Sequence, residues 1–417
     1  MRERIASYFR KTDFRLNRQK AIMISEKMIE CGFYGVIFFL PISNALLESF
    51  VGFVVFGFII NKALTRDFTS FKADAKIFWL LLALFIFSAL SLINSGPFLA
   101  KGFKALFSKW AEYFLVFAIA IDHFRDRKSI KNFFYVFLFV GGLVGLSALS
   151  QKFLGFEFFR NKSMVMRAVT GPFENPNSLG SYFVYCLPIF ILLASWKWKK
   201  KIVRILIYFV VVALGMSLLL TFSRSAWLGF SVGLLMIIIL SKKKKFPLAV
   251  FGLFFSSLFL VPSFFKRVMY SFGSAGDSQR YVIWQGAVDM IKENPFFGKG
   301  LGTFMNYFDQ YVPDIGIYYA HNCYLQMWAE SGIFTLIAFL SLIGFILYRG
   351  VWISLKNKQD EYGILLIGLV AGVFGFLVVS FFDTQLYSLQ LSILFWVMLG
   401  MTVAVQRVLL ERRASLE

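Results

Sequence analysis

Twelve solid apolar runs separated by short basic loops leave this chain few ways to satisfy its own backbone. Inside a bilayer no water answers a peptide N–H or C=O, so a spanning segment is either a helix or a strand of a closed barrel. Barrel strands alternate apolar and polar residues, and none of these runs does. Most of them approach the roughly 18 to 20 residues with which a helix crosses about 30 Å of hydrocarbon. The expectation is an all-α, polytopic integral membrane protein with about 12 transmembrane helices. Composition agrees, because 58% apolar, 19% aromatic and only 16% charged residues is too apolar for a soluble domain.

The runs cover about 28–43, 45–60, 77–92, 107–121, 133–149, 179–196, 202–222, 226–240, 246–265, 323–348, 362–382 and 386–405. A re-entrant segment around Pro97 to Lys109 would change the count. A net charge of +21 resembles that of a nucleic-acid binder, but the basic residues bunch in the loops between runs. Placing the basic N-terminus inside puts every strongly basic cluster on that same side: Lys62 to Lys76, Arg125 to Lys131, Lys197 to Arg204, Lys242 to Lys245, Arg349 to Lys358 and Arg407 to Arg413. The charge therefore records topology, and no nucleic-acid partner is expected. Domains divide as 1–27, an inner amphipathic segment or a loose tail; 28–265, helices one to nine; 266–320, an outer loop; 321–408, helices ten to twelve; and 409–417, an inner tail. No small-residue cleavage site follows the N-terminus, so no removable signal peptide is expected. Cys31, Cys186 and Cys323 offer neither a disulfide framework nor zinc spacing.

Chemistry concentrates in 277–332. The outer loop balances its basic residues with acidic ones, so they do not serve the inside-positive bias. Within it 279–293 has helical character, with Asp277 or Ser278 to cap it and Asn294-Pro295 to end it. Ile283, Ala287 and Ile291 form a stripe that suits either the membrane surface or the bundle, and the loop reads as a small structured lid, with disorder as the alternative.

His321 is one of two histidines and stands just before a long apolar run. A helix N-terminus disfavours the imidazolium and favours a neutral, proton-accepting ring, although an interfacial capping histidine fits the same pattern. Arg224 falls at a corner too tight for a loop, where it binds an anion or snorkels to headgroups. Arg280 is either a second anion ligand or a solvated loop residue. His123 reads as a solvated inner-loop residue, and Glu330 as a structural hydrogen-bonding partner facing away from His321. Gly298-Lys-Gly-Leu-Gly302 lacks the Lys-Ser or Lys-Thr of a phosphate loop and reads as a turn. Two arginines and a base suit a departing diphosphate, since guanidinium binds phosphate oxygens in a fork and imidazole takes a proton from an attacking hydroxyl. No Asp-x-Asp pair is present to hold a metal-bound sugar nucleotide, so a lipid diphosphate donor, no metal and no cofactor are expected.

Three segments resemble the O-antigen ligase and polymerase superfamily of bacterial membrane glycosyltransferases: Ser223-Arg-Ser-Ala-Trp-Leu228; 280–304 with Asn294-Pro-Phe-Phe-Gly-Lys-Gly-Leu-Gly-Thr-Phe304; and His321-Asn-Cys-Tyr-Leu-Gln-Met-Trp-Ala-Glu-Ser-Gly332. Arg167-Ala-Val-Thr-Gly-Pro-Phe-Glu-Asn-Pro-Asn177 is an upstream echo. The resemblance implies a GT-C-like helical fold in the bacterial inner membrane, with both termini cytoplasmic and a large periplasmic loop. It also implies metal-free, inverting transfer of a glycan from undecaprenyl diphosphate. By motif, Arg224 and Arg280 would hold the diphosphate, His321 would orient or deprotonate the acceptor, and Arg167 and Asn322 would contact substrate. The favoured acceptor is a lipid A-core sugar, which makes the chain an O-antigen ligase. An O-antigen or exopolysaccharide polymerase would use the same donor. A flippase is the non-enzymatic alternative, opposed by site residues that gather at the outer ends of the runs.

Overall fold

The computed structural model describes residues 2–414 except 166, 195, 197, 199, 271–277 and 314–318, with side chains undescribed for 2–16, 278 and 279. Asp277, one of the two expected caps, lies outside the described residues. In chain order the helices are α1 (Arg2–Phe39), α2 (Asn44–Thr65), α3 (Thr69–Ala73), α4 (Ala75–Leu90), α5 (Leu99–Ala105), α6 (Ala111–His123), α7 (Arg127–Phe153), α8 (Pro176–Leu193) and α9 (Lys201–Leu220). They continue as α10 (Arg224–Leu240), α11 (Lys245–Leu260), α12 (Pro262–Met269), α13 (Ser278–Glu293), α14 (Phe304–Tyr307), α15 (Cys323–Lys356), α16 (Glu361–Ser380) and α17 (Leu389–Ala414). No strand occurs among the described residues, only an isolated bridge between Val165 and Ala168. The fold is all-α and polytopic.

Among the described residues eight helices are long and apolar enough to cross a membrane, and a ninth is made if α11 and α12 count as one bent span. The other apolar runs fall on α1, on α10, which has 17 residues, and on α6 with the π turn Leu106–Trp110 before it. Two runs are broken where the sequence reads them as continuous. The run 246–265 turns by 83° between α11 and α12, because Pro262 has no N–H to donate and drives Val261 out of helical geometry, to φ −89 and ψ 114. The run 323–348 carries a non-helical residue, Gly332, inside α15. Around Pro97, short turns and α5 replace a straight span, and Leu92 and Leu106 pack there under Leu301.

At the centre stand α17, α8 and α16, whose spanning windows are 94%, 89% and 83% buried, against 28% for peripheral α2. Lipid supplies no hydrophobic drive between helices, so close packing must come from small residues. Gly229 of α10 and Gly375 of α16 meet backbone to backbone, and a Cβ on either would lie 2.6 Å from the other's carbonyl oxygen. That contact brings the start of α10 and the end of α16 to the same end of the bundle.

Polar contacts sort the loops into two sets. At the basic end Lys62 pairs with Asp122 at 2.7 Å, Arg125 with Asp67 at 2.5 Å, Arg349 with Asp74 at 2.7 Å and Arg127 with Asp360 at 2.8 Å. At the opposite end Arg160 donates to the Ile42 carbonyl at 2.8 Å, Asn94 to the Gly298 carbonyl at 2.9 Å and Tyr307 to the Ser95 carbonyl at 3.0 Å. Loops read as lying on one side thus bond to one another, as an alternating up-and-down chain requires. His123 departs from the solvated reading. Its ring packs against Phe33 at 6.4 Å and Phe124 at 5.0 Å, with Nε2 enclosed.

Candidate functional site

The long connection between α11 and α15 is built on the apolar stripe of α13. Ile283, Ala287, Met290 and Ile291 are buried against Phe304, Phe308, Ala320 and Ala329, so the stripe faces the protein. One turn beyond Arg280 on the same helix face, Trp284 donates its indole N–H to the Ala320 carbonyl at 3.1 Å. Arg280 lies one turn before that bond on α13.

His321 adopts a left-handed backbone, φ 49, just ahead of the α15 cap. Asn322 is that cap: its side-chain oxygen accepts from the Tyr324 and Leu325 N–H groups at 2.9 and 3.1 Å, and it is buried. Gln326 accepts the Ala320 N–H at 3.2 Å and donates to Glu330 at 3.4 Å. Glu330 in turn accepts from the Gly302 and Phe304 N–H groups at 3.1 and 3.2 Å. A buried carboxylate thus links the glycine turn to the backbone that carries His321.

The break at Gly332 admits the Asn294–Gly302 turn. The Pro295 carbonyl accepts from the Ile333 N–H at 3.0 Å and from the Trp328 indole at 2.9 Å, bonds that a continuous helix would obstruct. Gly332 has φ 79, and a Cβ there would stand 2.0 Å from the Phe296 carbonyl oxygen. Gly332→Ala is expected to cost at least about 3 kcal/mol from backbone strain and overlap. Thermal unfolding of the detergent-solubilised protein, with limited proteolysis of the turn, measures it; an unchanged unfolding temperature would refute this account of the break.

Asp383 was not singled out by sequence reasoning. It sits in the short turn between α16 and α17, is nearly buried, and its Oδ1 lies 3.4 Å from His321 Nδ1. Burial alone would raise its carboxyl. Hydrogen bonding to His321 and to the Thr384 N–H, with the nearby charge of Arg280, holds it below the usual carboxylate range instead. It is the one acidic residue between Glu361 and Glu411. An isolated carboxylate between two apolar runs was the signal available.

Arg224 opens α10, with its guanidinium 5.6 Å from the centre of the Tyr270 ring. Arg267, a second residue that the sequence did not single out, lies 5.9 Å from the same ring, within the field of Arg224 and Arg280. Arg224 and Arg267 thus meet at the Tyr270 ring and His321 meets Asp383, while Arg280 on α13 adds to the field at both Arg267 and Asp383. Arg167 is exposed in the turn between Val165 and Ala168, with φ 70, and nearby Val169 donates to the Leu220 carbonyl at 3.1 Å beside the Arg224 corner. Among the described residues no group of three or more His, Cys, Asp or Glu is arranged to hold a metal ion.

A corner arginine, a second arginine on the α13 face and a carboxylate-held histidine can bind an anion beside a general base. Residues 209–340 match the family model described as O-antigen ligase. The matched O-antigen ligase segment runs from α9 into α15, so it contains Arg224, Arg267, Arg280 and His321 and stops short of Asp383. It is consistent with the O-antigen ligase and polymerase superfamily, whose members are membrane glycosyltransferase-type enzymes. No curated protein sequence matches the chain.

Asp383→Asn is expected to lower turnover by about tenfold or more, by losing the carboxylate that selects the Nδ1–H tautomer of His321. The carboxyl is held low, so its ionised form persists at neutral pH and is lost only as pH falls through its depressed pKa. Steady-state kinetics with a pH profile measures this. Equal turnover of variant and wild type across the profile would remove Asp383 from the site.

Proposed function

We propose that the chain is an O-antigen ligase, which transfers a glycan from undecaprenyl diphosphate to a sugar hydroxyl of lipid A-core at the periplasmic face of the inner membrane. The observation that carries this reading is the Asp383–His321 pair beside Arg280, at the same end as Arg224 and Arg267. Asp383 accepts from Nδ1–H, which leaves Nε2 of His321 to accept a proton. The acceptor oxygen attacks the anomeric carbon from the face opposite the diphosphate and forms the new glycosidic bond. The old C–O bond breaks, its electron pair leaves with the diphosphate oxygen, and the hydroxyl proton passes to His321.

Charge developing on the leaving diphosphate is met by guanidinium groups, which are always protonated and already in place. Such stabilisation asks for no metal. The inverted configuration follows from one displacement on the side away from the leaving group. The inward assignment of the basic end, with its six clusters, supports a periplasmic site.

Purified protein with undecaprenyl diphosphate-linked oligosaccharide, core lipid acceptor and a chelator tests the reading. Glycosylated core lipid is the expected product. Longer chains on the carrier lipid would instead make the enzyme a polymerase, which shares the donor site and differs in acceptor. Absence of any transfer would overturn both.

A further inference from the structure

The carboxylate of Asp383 is gripped from its own turn before His321 reaches it. Oδ1 accepts the Thr384 N–H at 2.8 Å, and Oδ2 accepts the side-chain Nε2–H of Gln385, also at 2.8 Å. The contact from Oδ1 to Nδ1 of His321 is longer, 3.4 Å, so the turn rather than the histidine sets the plane of the carboxylate. Gln385 opens the 3₁₀ turn Gln385–Tyr387 and is buried. A buried amide is costly unless both of its ends find partners.

Which end faces which partner follows from chemistry. An ionised carboxylate only accepts, so the amide presents its NH₂ to Asp383 and its oxygen the other way. There the buried Ser178 of α8 stands with its hydroxyl 3.5 Å from Oε1. Ser178 is placed by the head of its helix: Asn175 is the cap and accepts the Ser178 N–H at 2.8 Å, and Pro176 opens the first turn. The Arg167–Asn177 segment therefore serves this end of the protein through its Asn175-Pro176 pair. From the other side the Cys323 thiol, at the head of α15, donates to the Asp383 carbonyl at 3.2 Å and accepts the Leu386 N–H at 3.4 Å. The turn is thus pinned between α8 and the helix that follows His321. The titratable and charged groups that act on Asp383 are His321 and Cys323 at the head of α15 and Arg280 on α13, while α8 offers the neutral Ser178 hydroxyl.

We propose that Gln385 is a positioning residue for the proton-accepting histidine: it holds Oδ2 of Asp383 so that Oδ1 faces Nδ1 of His321, and Ser178 sets the direction of its amide. This deepens the general-base reading of His321 and rests on it. Gln385 acts on the reaction through the tautomer of His321. Without the amide donor Oδ2 loses its hydrogen bond inside a nearly buried site, the carboxylate is free to turn, and the Nδ1–H tautomer is no longer selected.

The chain has two histidines, so nitrogen-15 imidazole spectra of the full chain in nanodiscs resolve the ring of His321 once His321→Ala has identified its signals. They are recorded at a pH where the ring is neutral, for wild type, Gln385→Met and Ser178→Ala, beside steady-state glycan transfer and thermal unfolding. Wild type is expected to show the Nδ1–H tautomer. Gln385→Met, which keeps the length and removes the donor, should show both tautomers, with kcat lower by about fivefold and KM for the donor within about twofold. Ser178→Ala should fall between the two. A Gln385→Met protein that unfolds earlier and transfers more slowly, yet keeps the wild-type tautomer, would overturn the proposal and leave Gln385 as packing between α8 and the turn. Unchanged tautomer and kcat would overturn it as well. Where Gln385→Met does not fold, Ser178→Ala decides by the same two readouts. Wild type that selects the tautomer, with both variants losing it, but transfers no glycan would overturn the donor reading while supporting the positioning of His321.

Discussion

His321→Ala is expected to lower glycan transfer by about 10³-fold, within the 10²- to 10⁴-fold range typical of a positioned general base. Binding of the donor should change little, because the variant keeps the guanidinium groups that meet the diphosphate. The structural cost should also be small. The side chain is 41% exposed, so truncation leaves no enclosed cavity in the bundle. Single-turnover kinetics separates the steps: normal donor binding with slow transfer is the expected pattern. Transfer that survives at a tenth of the wild-type rate would reduce His321 to a positioning role.

Arg280→Ala carries the second large effect, a fall of about 10²- to 10³-fold in kcat/KM through loss of a charge aimed at the leaving group. Here donor affinity and turnover should fall together, unlike the histidine variant. Arg280→Lys should rescue only part, since an ammonium lacks the planar fork. An additional signature follows from the charge that Arg280 places on Asp383. Its removal lets the carboxyl rise toward the value that burial favours, so the acid limb of the pH profile should move to higher pH. Calorimetry of donor binding, together with the profile, decides between this and a merely solvated Arg280, which would alter neither.

The helical bundle was legible because hydrocarbon admits so few backbone solutions, and all twelve apolar runs fall on helices. Its breaks were less legible. Val261-Pro262 carried a local signal that a long apolar run masked, whereas Gly332 looks like any helical glycine until the Pro295–Phe296 turn is known to pass there. Of the proposed site, Arg224, Arg280 and His321 stood out in the sequence as polar residues in costly places. Asp383 was hidden by separation, 62 residues from His321 in the chain and joined to it only by folding. Arg267 was hidden by its neighbours, as one of two adjacent basic residues near the head of a loop already rich in charge. Asn322 shows the reverse case, a polar side chain beside the chemistry whose oxygen is taken up by two backbone N–H groups.

The backbone contact between Gly229 and Gly375 leaves no room for α10 to slide past α16, because any axial shift would drive a neighbouring side chain into a carbonyl. Those two helices carry Arg224 at the head of one and lead to Asp383 at the tail of the other. They form a fixed pair, and two residues of the proposed site, Arg224 and Asp383, are positioned by it. The stiffness of that pair is made by two residues with no side chain at all.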